Sequence, residues 1–249
     1  MFNFFANEDC RQGNCYNISG GDFNHIINVL RMKTGDSFFV SCNGKSDLCV
    51  IKEIYTDSLL AEILQENYND TTLPIKLYLF QGLPKGDKME LIIQKAVELG
   101  AEEIIPVEMD NCVVKLDDKK KKSKVSRWQA ISESAAKQSK RNTIPVISEV
   151  LSYKKAIEKA KELDVVLVPY ECAEGMKATK EALSQIKKGM SVGIFIGSEG
   201  GYSEKEIDFA TENGGKIISL GKRILRTETA AITALSMCML YAETELSDD

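Results

Sequence analysis

Hydrophobic and polar positions along the chain change rhythm near residue 70, and the two rhythms predict two kinds of architecture. Before that point short runs of β-type residues dominate. Ser37-Phe38-Phe39-Val40-Ser41-Cys42 and Leu48-Cys49-Val50-Ile51 flank Asn43-Gly44-Lys45, which predicts a tight hairpin. A third strand is expected over 59–64. A short helix is expected over 22–31, with Phe23, Ile26, Ile27 and Leu30 on one side. Residues 1–70 therefore read as a small β-barrel-like domain, closed by the polar, turn-rich stretch Glu66-Asn67-Tyr68-Asn69-Asp70-Thr71-Thr72.

From residue 71 to 249 apolar runs at 75–80, 103–107, 144–147, 165–168, 192–196 and 216–220 alternate with helical patterns. That alternation predicts an α/β domain with a mostly parallel sheet and helices on both faces. The helix expected over 88–99 gathers Met89, Ile92, Ile93, Ala96 and Val97 on one face. Asp87 with Glu90, and Ser203 with Glu206, have the spacing of capping boxes at helix starts.

Composition adds limits. With 43% hydrophobic and 28% charged residues, the 249-residue chain has the balance of an ordinary globular protein. No apolar run reaches the roughly 18 residues needed to cross a bilayer. The opening Met1-Phe2-Asn3-Phe4-Phe5-Ala6 lacks a signal peptide's basic and apolar regions, so a cytoplasmic location is expected. Seven cysteines without a CxxC pair, and His25 as the only histidine, predict reduced thiols and no metal site. Net charge is −5, but it is uneven. Between Lys115 and Arg141 ten basic residues face three acidic ones, a local +7 that leaves −12 elsewhere. Such a segment is either a phosphate-binding patch or a solvated lysine-rich face.

Chemistry concentrates in two stretches. Ile194-Phe195-Ile196-Gly197-Ser198-Glu199-Gly200-Gly201-Tyr202-Ser203 reads as a buried strand, a glycine-rich turn and a capped helix start. Ligands of α/β sheets bind at such strand ends, where glycines let backbone approach closely. The dinucleotide pattern GxGxxG is absent, and Gly44-Lys45-Ser46 has Phe39 where a P-loop needs its first glycine. Taken alone, the turn is either a ligand loop or a structural one. Ser219-Leu220-Gly221-Lys222-Arg223-Ile224-Leu225-Arg226-Thr227-Glu228-Thr229-Ala230-Ala231 likewise leaves a strand and enters a final helix near Thr227. Together the two loops can wall a pocket, with Arg226 and Glu228 close to it.

These two stretches resemble the cofactor-binding signatures of the RsmE group of SPOUT methyltransferases. The resemblance continues through His25 with Val29-Leu30-Arg31, through Gln81-Gly82-Leu83-Pro84-Lys85-Gly86-Asp87-Lys88-Met89-Glu90, and through Glu98-Leu99-Gly100. Arg127-Trp128, Ala135-Ala136-Lys137-Gln138-Ser139, Arg141 and Pro145 extend it over nearly the whole chain. One departure stands out: Asn3 precedes Phe4-Phe5 where the family usually has an arginine. That arginine's task is then unfilled here or has moved to Arg11.

The resemblance implies a SPOUT-type α/β fold with a deep trefoil knot, an N-terminal PUA-like barrel, and a homodimer. It implies S-adenosyl-L-methionine as cofactor, held by Gly197, Glu199, Gly200, Leu220, Gly221, Ile224, Leu225, Thr229 and Ala230. The reaction implied is methylation of uridine N3 in small-subunit ribosomal RNA, free or in the assembled subunit. Arg226 is expected to stabilise the anion formed when N3 loses its proton. Glu228 is expected either to accept that proton or to hold the cofactor loop. RNA contacts are expected from His25, Arg31, Lys85, Lys137 and Arg141. Two other readings stay open: a SPOUT enzyme acting on another RNA position, and a non-catalytic RNA-binding or ribosome-assembly protein.

Overall fold

The computed structural model describes residues 1–171, 173 and 175–247. It forms two compact units, Met1–Thr72 with Ser134–Ile144, and Leu73–Glu133 with Pro145–Asp249.

The first unit is built on a six-stranded sheet. Its strands are β1 (Asn3–Phe5), β2 (Arg11–Gln12), β3 (Cys15–Ser19), β4 (Ser37–Cys42), β5 (Lys45–Ile54) and β6 (Ser58–Gln65), in spatial order β1-β4-β5-β6-β3-β2. Only the β1–β4 pair is parallel. The expected hairpin is β4–β5, turned by Asn43 and Gly44 with φ of 49° and 76°. Two left-handed residues in succession give a turn whose twist matches the flanking strands. The core gathers Phe4, Tyr16, Phe38, Ile51 and Leu59. Strands β1 to β3 escaped the sequence reading, being short and mostly paired with distant segments.

The expected regular helix over 22–31 is not what forms. A five-residue α-helix, α1 (Gly20–Asn24), passes into a π-helical stretch, His25–Val29, and Arg31 follows with φ 54°. Leu30 N–H donates to the His25 carbonyl and Met32 N–H to that of Ile26. The widened turn goes with deep burial of Phe23 and Ile26.

Residues 134–144 complete this unit through Asn3, which is buried. Its amide donates to the Arg141 carbonyl (3.0 Å) and its carbonyl oxygen accepts from Ser41 Oγ (2.9 Å). Asn3 is thus a structural tie at the position where the resemblance implied an arginine. Arg11 is held by an ion pair with Glu66.

The second unit has an all-parallel sheet, in the order β10-β8-β7-β12-β11-β13 with β9 also on β8. The strands are β7 (Lys76–Gly82), β8 (Ala101–Glu108), β9 (Val146–Ile147), β10 (Leu151–Ser152), β11 (Val165–Pro169), β12 (Ser191–Ile196) and β13 (Lys216–Ile218). Helices α2 (Lys88–Glu98), α3 (Asp118–Ser139), α4 (Tyr153–Ala160), α5 (Lys177–Leu183), α6 (Glu204–Glu212) and α7 (Thr227–Glu245) intervene. Phe80 and Phe195 are register partners on the central strands, their rings stacked at 4.3 Å. The strand expected over 144–147 is only β9, since Pro145 lacks an N–H for the ladder and its carbonyl accepts from Ser132 Oγ and Gln129 Nε2.

The two expected capping boxes part company. Ser203 and Glu206 form theirs reciprocally. Asp87 makes no side-chain cap, and the Glu90 carboxylate instead pairs with Arg127 at 2.8 Å. No helix among the described residues is long and apolar enough to cross a membrane.

Candidate functional site

Loops leaving the carboxyl ends of β11, β12 and β13 surround a cavity of about 680 Å³ in the second unit. Residues 196–202 and 219–227 supply most of its wall, joined by Pro169, Tyr170 and Lys88. Its volume lies within the roughly 300–1,000 Å³ of small-molecule sites. Chain order reverses at the centre of the sheet, where β12 lies beside β7, and crevices at such reversals are where open α/β sheets bind ligands.

Of the residues singled out in sequence, Gly197, Glu199, Gly200, Leu220, Gly221, Ile224, Leu225, Ala230 and Arg226 line this cavity, while Thr229 and Glu228 do not. Arg226 is the N-cap of α7 and is exposed, and its guanidinium makes no hydrogen bond or ion pair among the described residues. The Glu228 carboxylate is tucked behind the wall. Its Oε2 is buried without a hydrogen bond, 3.8 Å from Lys88 Nζ.

Residues not singled out lock the loops together. The buried Thr227 hydroxyl donates to the Gly197 carbonyl at 2.6 Å and accepts from Gln81 Nε2 at 2.9 Å. Gln81 Nε2 also donates to the Gly82 carbonyl, so the end of β7, the turn after β12 and the start of α7 share one buried network. A Cβ on Gly82 would lie 2.7 Å from the Ser198 backbone nitrogen, so this crossing demands glycine. Gly200 is equally constrained by the chain itself: a Cβ there would meet Asn111 Cβ and carbonyl oxygen at 2.8 Å. Asn111 in turn donates its amide to the Gly200 carbonyl. Thr227 has a local signal, a threonine at the start of a helix, and Gln81 opens one of the stretches that carry the resemblance; Asn111 has neither signal.

Lys88 forms a second lock. Its ammonium donates to Glu199 Oε1 at 2.8 Å, and the Lys85 N–H donates to the same carboxylate at 3.0 Å. Burial pushes the Glu199 pKa up, but these donors, with the residue's own N–H and the charge of Lys88, outweigh it and hold the pKa below the usual 4.5. Lys88 thus links Glu199 on one loop to Glu228 on α7. On another wall the Tyr202 hydroxyl is buried with no hydrogen-bond partner among the described residues, and burial drives its pKa well above 10. Cys238, in α7, is buried and its thiol is pushed up to about 12, which leaves it inert; Cys172 lies outside the described residues.

The residues expected to contact RNA are placed diversely. In the first unit His25 and Arg31 are exposed, with His25 edge-on to Phe4. Lys137 pairs with Asp22 at 2.9 Å, and Arg141 is buried. Lys85, in the second unit, is exposed. Within the basic segment Lys121 pairs with Glu108 and Lys120 with Asp117.

A parallel α/β sheet with a ligand-sized cavity at its strand ends defines a small-molecule-binding domain of the α/β class. Comparison with known proteins narrows this. The family model described as an RNA methyltransferase domain matches residues 71–239, and that of the RNA methyltransferase PUA domain matches 18–64. A ribosomal RNA small subunit methyltransferase E from Bacillus subtilis (strain 168) is 41% identical over 232 residues, 92% of this chain and 91% of that protein. The crystal structure of a protein of the same name from Neisseria gonorrhoeae, bound to S-adenosyl methionine, is 32% identical. It has a TM-score of 0.79 and covers 95% of this chain and 96% of its own. A Legionella pneumophila structure in complex with the bound cofactor SAM is 28% identical, with a TM-score of 0.82 and 96% coverage of each chain. The chain belongs to the RsmE family of RNA methyltransferases.

Proposed function

We propose that this protein transfers a methyl group from S-adenosylmethionine to N3 of a uridine in small-subunit ribosomal RNA. The observation that carries this reading is the strand-end cavity, because it is walled by the two glycine-containing loops of the matched methyltransferase domain. The residues present suit the cofactor. The volume fits a nucleoside joined to an amino acid, and the loops at 197–201 and 219–225 offer backbone donors and acceptors. S-adenosylmethionine supplies an electrophilic methyl on a sulfonium centre.

The chain's own residues must do the rest. Arg226, exposed at the cavity with its guanidinium free of internal partners, is suited to balance charge spreading over O2 and O4 as N3 gives up its proton to water, while the methyl leaves its sulfur for N3. Gly197, Gly200, Leu220, Gly221, Ile224, Leu225 and Ala230 hold the cofactor, and Thr229 follows them at the start of α7. Glu199 shapes its loop while bound to Lys88 and the Lys85 N–H. The buried placement of Glu228 behind Lys88 favours the loop-holding role over proton acceptance. A deep trefoil knot at the carboxyl end is supported by the path from β13, at the sheet edge, back to α7 against β7 and β12.

Residues 1–70 act as the PUA-like RNA-binding domain, with His25 and Arg31, together with Lys85, touching RNA. Lys137 and Arg141 serve the packing of their own unit. The working form is a homodimer in the cytoplasm. The middle of helix α7, residues 230–242, is mostly apolar, yet Leu240 is exposed on it, and so is Leu91 on the adjoining α2, a face that a second copy would cover. The test is nucleoside mass spectrometry of small subunits from a strain lacking the protein, incubated with purified protein and labelled cofactor. Appearance of N3-methyluridine is expected; methyl at another position or on ribose, or none at all, overturns the proposal.

A further inference from the structure

The loop between β13 and α7 carries three cations within five residues, Lys222, Arg223 and Arg226. All three are exposed on the cavity wall, and none of their side chains makes a hydrogen bond or ion pair among the described residues. Two carboxylates share that wall, Glu171 and Glu199, and Glu199 is already held by Lys88. Between the cations stands Ile224, 84% exposed and so nearly without packing in its own chain. A positively charged rim with an apolar side chain at its centre suits a nucleic acid strand: cations for phosphates, isoleucine for a base or sugar face.

We propose that Lys222 and Arg223 are the phosphate grip that delivers the target nucleotide, holding the backbone on either side of the base that enters the cavity. The inference rests on the methyltransferase reading and adds where the substrate strand lies. Exposed, adjacent and unpaired cations serve a polyanion passing across the mouth better than one small carboxylate inside it. They contribute affinity and register but no choice of base, and that choice is left to the cavity.

The test is equilibrium binding of the full chain to a small-subunit ribosomal RNA transcript over a series of KCl concentrations, with cofactor affinity measured in parallel by calorimetry. Each phosphate contact on single-stranded RNA contributes about 0.7 to the slope of log affinity against log salt. The Lys222→Gln/Arg223→Gln variant is therefore expected to lose about 1.4 from that slope, with cofactor affinity unmoved. The Lys121→Gln variant, which removes a lysine already held by Glu108 at 2.7 Å, should keep the wild-type slope. An unchanged slope in the first variant overturns the grip, as does a loss of cofactor affinity, which would make these residues cofactor ligands. Wild-type protein that binds RNA with the expected slope but transfers no methyl would sink the methyltransferase reading and leave the grip standing.

Discussion

Two regions of this molecule look alike in sequence and differ in structure: the ten-cation segment from Lys115 to Arg141 and the three-cation loop from Lys222 to Arg226. In the first, Lys120, Lys121, Arg127 and Lys137 meet Asp117, Glu108, Glu90 and Asp22 of their own chain and Arg141 is buried, so half of its ten cations are engaged. In the second no cation has an internal partner among the described residues. Charge along a sequence measures attraction for a polyanion only after internal pairs are subtracted. A paired lysine must first give up its carboxylate, so its net gain from a phosphate is small. Paired cations should therefore matter to stability, and unpaired ones to function.

The largest expected effect tests the functional half. Arg226→Ala should lower the single-turnover rate of methyl transfer by about 10²–10³-fold, the usual cost of removing a donor aimed at developing charge. Thermal stability should not move, because the guanidinium holds nothing in its own chain. A fall in melting temperature with the rate preserved would reverse the comparison.

Gly200→Val comes next. The new side chain has to displace Asn111 and its backbone, an overpacking expected to cost about 1–3 kcal/mol. Denaturant unfolding should register this without ligand, and calorimetry should register weaker cofactor binding through the displaced loop. Full stability with binding lost would place the clash on the ligand side. Thr227→Val, nearly the same shape, leaves Gln81 Nε2 without one acceptor and the Gly197 carbonyl without its hydroxyl donor. Stability should fall by about 1–3 kcal/mol, and Thr227→Ser should restore most of it.

Lys88 tests the stability half through pH. The folded pKa of Glu199 lies below the ordinary carboxylate value of 4.5. The stabilisation from this group is therefore complete above that value and disappears as pH falls through the lower, folded value. Lys88→Met removes one of the donors that lower the pKa, so its melting temperature should fall less steeply than wild type on acidification below about pH 4.5. Parallel acid profiles of the two proteins would show that the Lys88 pair adds nothing.

What was legible in the sequence follows the range of the interactions. Parallel strands buried on both faces announce themselves as apolar runs, so the sheet of the second unit was readable almost strand by strand. Ser203 and Glu206 formed their box because both partners are local; Asp87 and Glu90 did not because Arg127, far along the chain, claimed the carboxylate. Cavity glycines were visible as motifs, yet the reason for Gly200 lay in Asn111, 89 residues away. Gln81 and Thr227 meet across 146 residues, and no spacing rule reaches that far. The π-helical stretch after α1 was hidden too, since its apolar positions satisfy an ordinary helical period.

The smallest effect is the sharpest test of pairing. Lys121 Nζ sits 2.7 Å from Glu108 Oε2, with about a quarter of each side chain exposed, while Lys120 lies 3.3 Å from Asp117 with both largely in solvent. Partial burial weakens solvent screening for the first pair, and full hydration cancels most of the second. Lys121→Met keeps the apolar stem and strands Glu108, so about 1 kcal/mol of stability should be lost. Lys120→Gln should leave the unfolding midpoint where it was. Lys121→Met should not alter the salt slope of RNA binding, because Glu108 already holds that charge, whereas the solvated Lys120 is open to a phosphate. If Lys121→Met instead flattened that slope while stability held, the lysine would be exchanging Glu108 for RNA, and internal pairing would no longer separate the two basic regions.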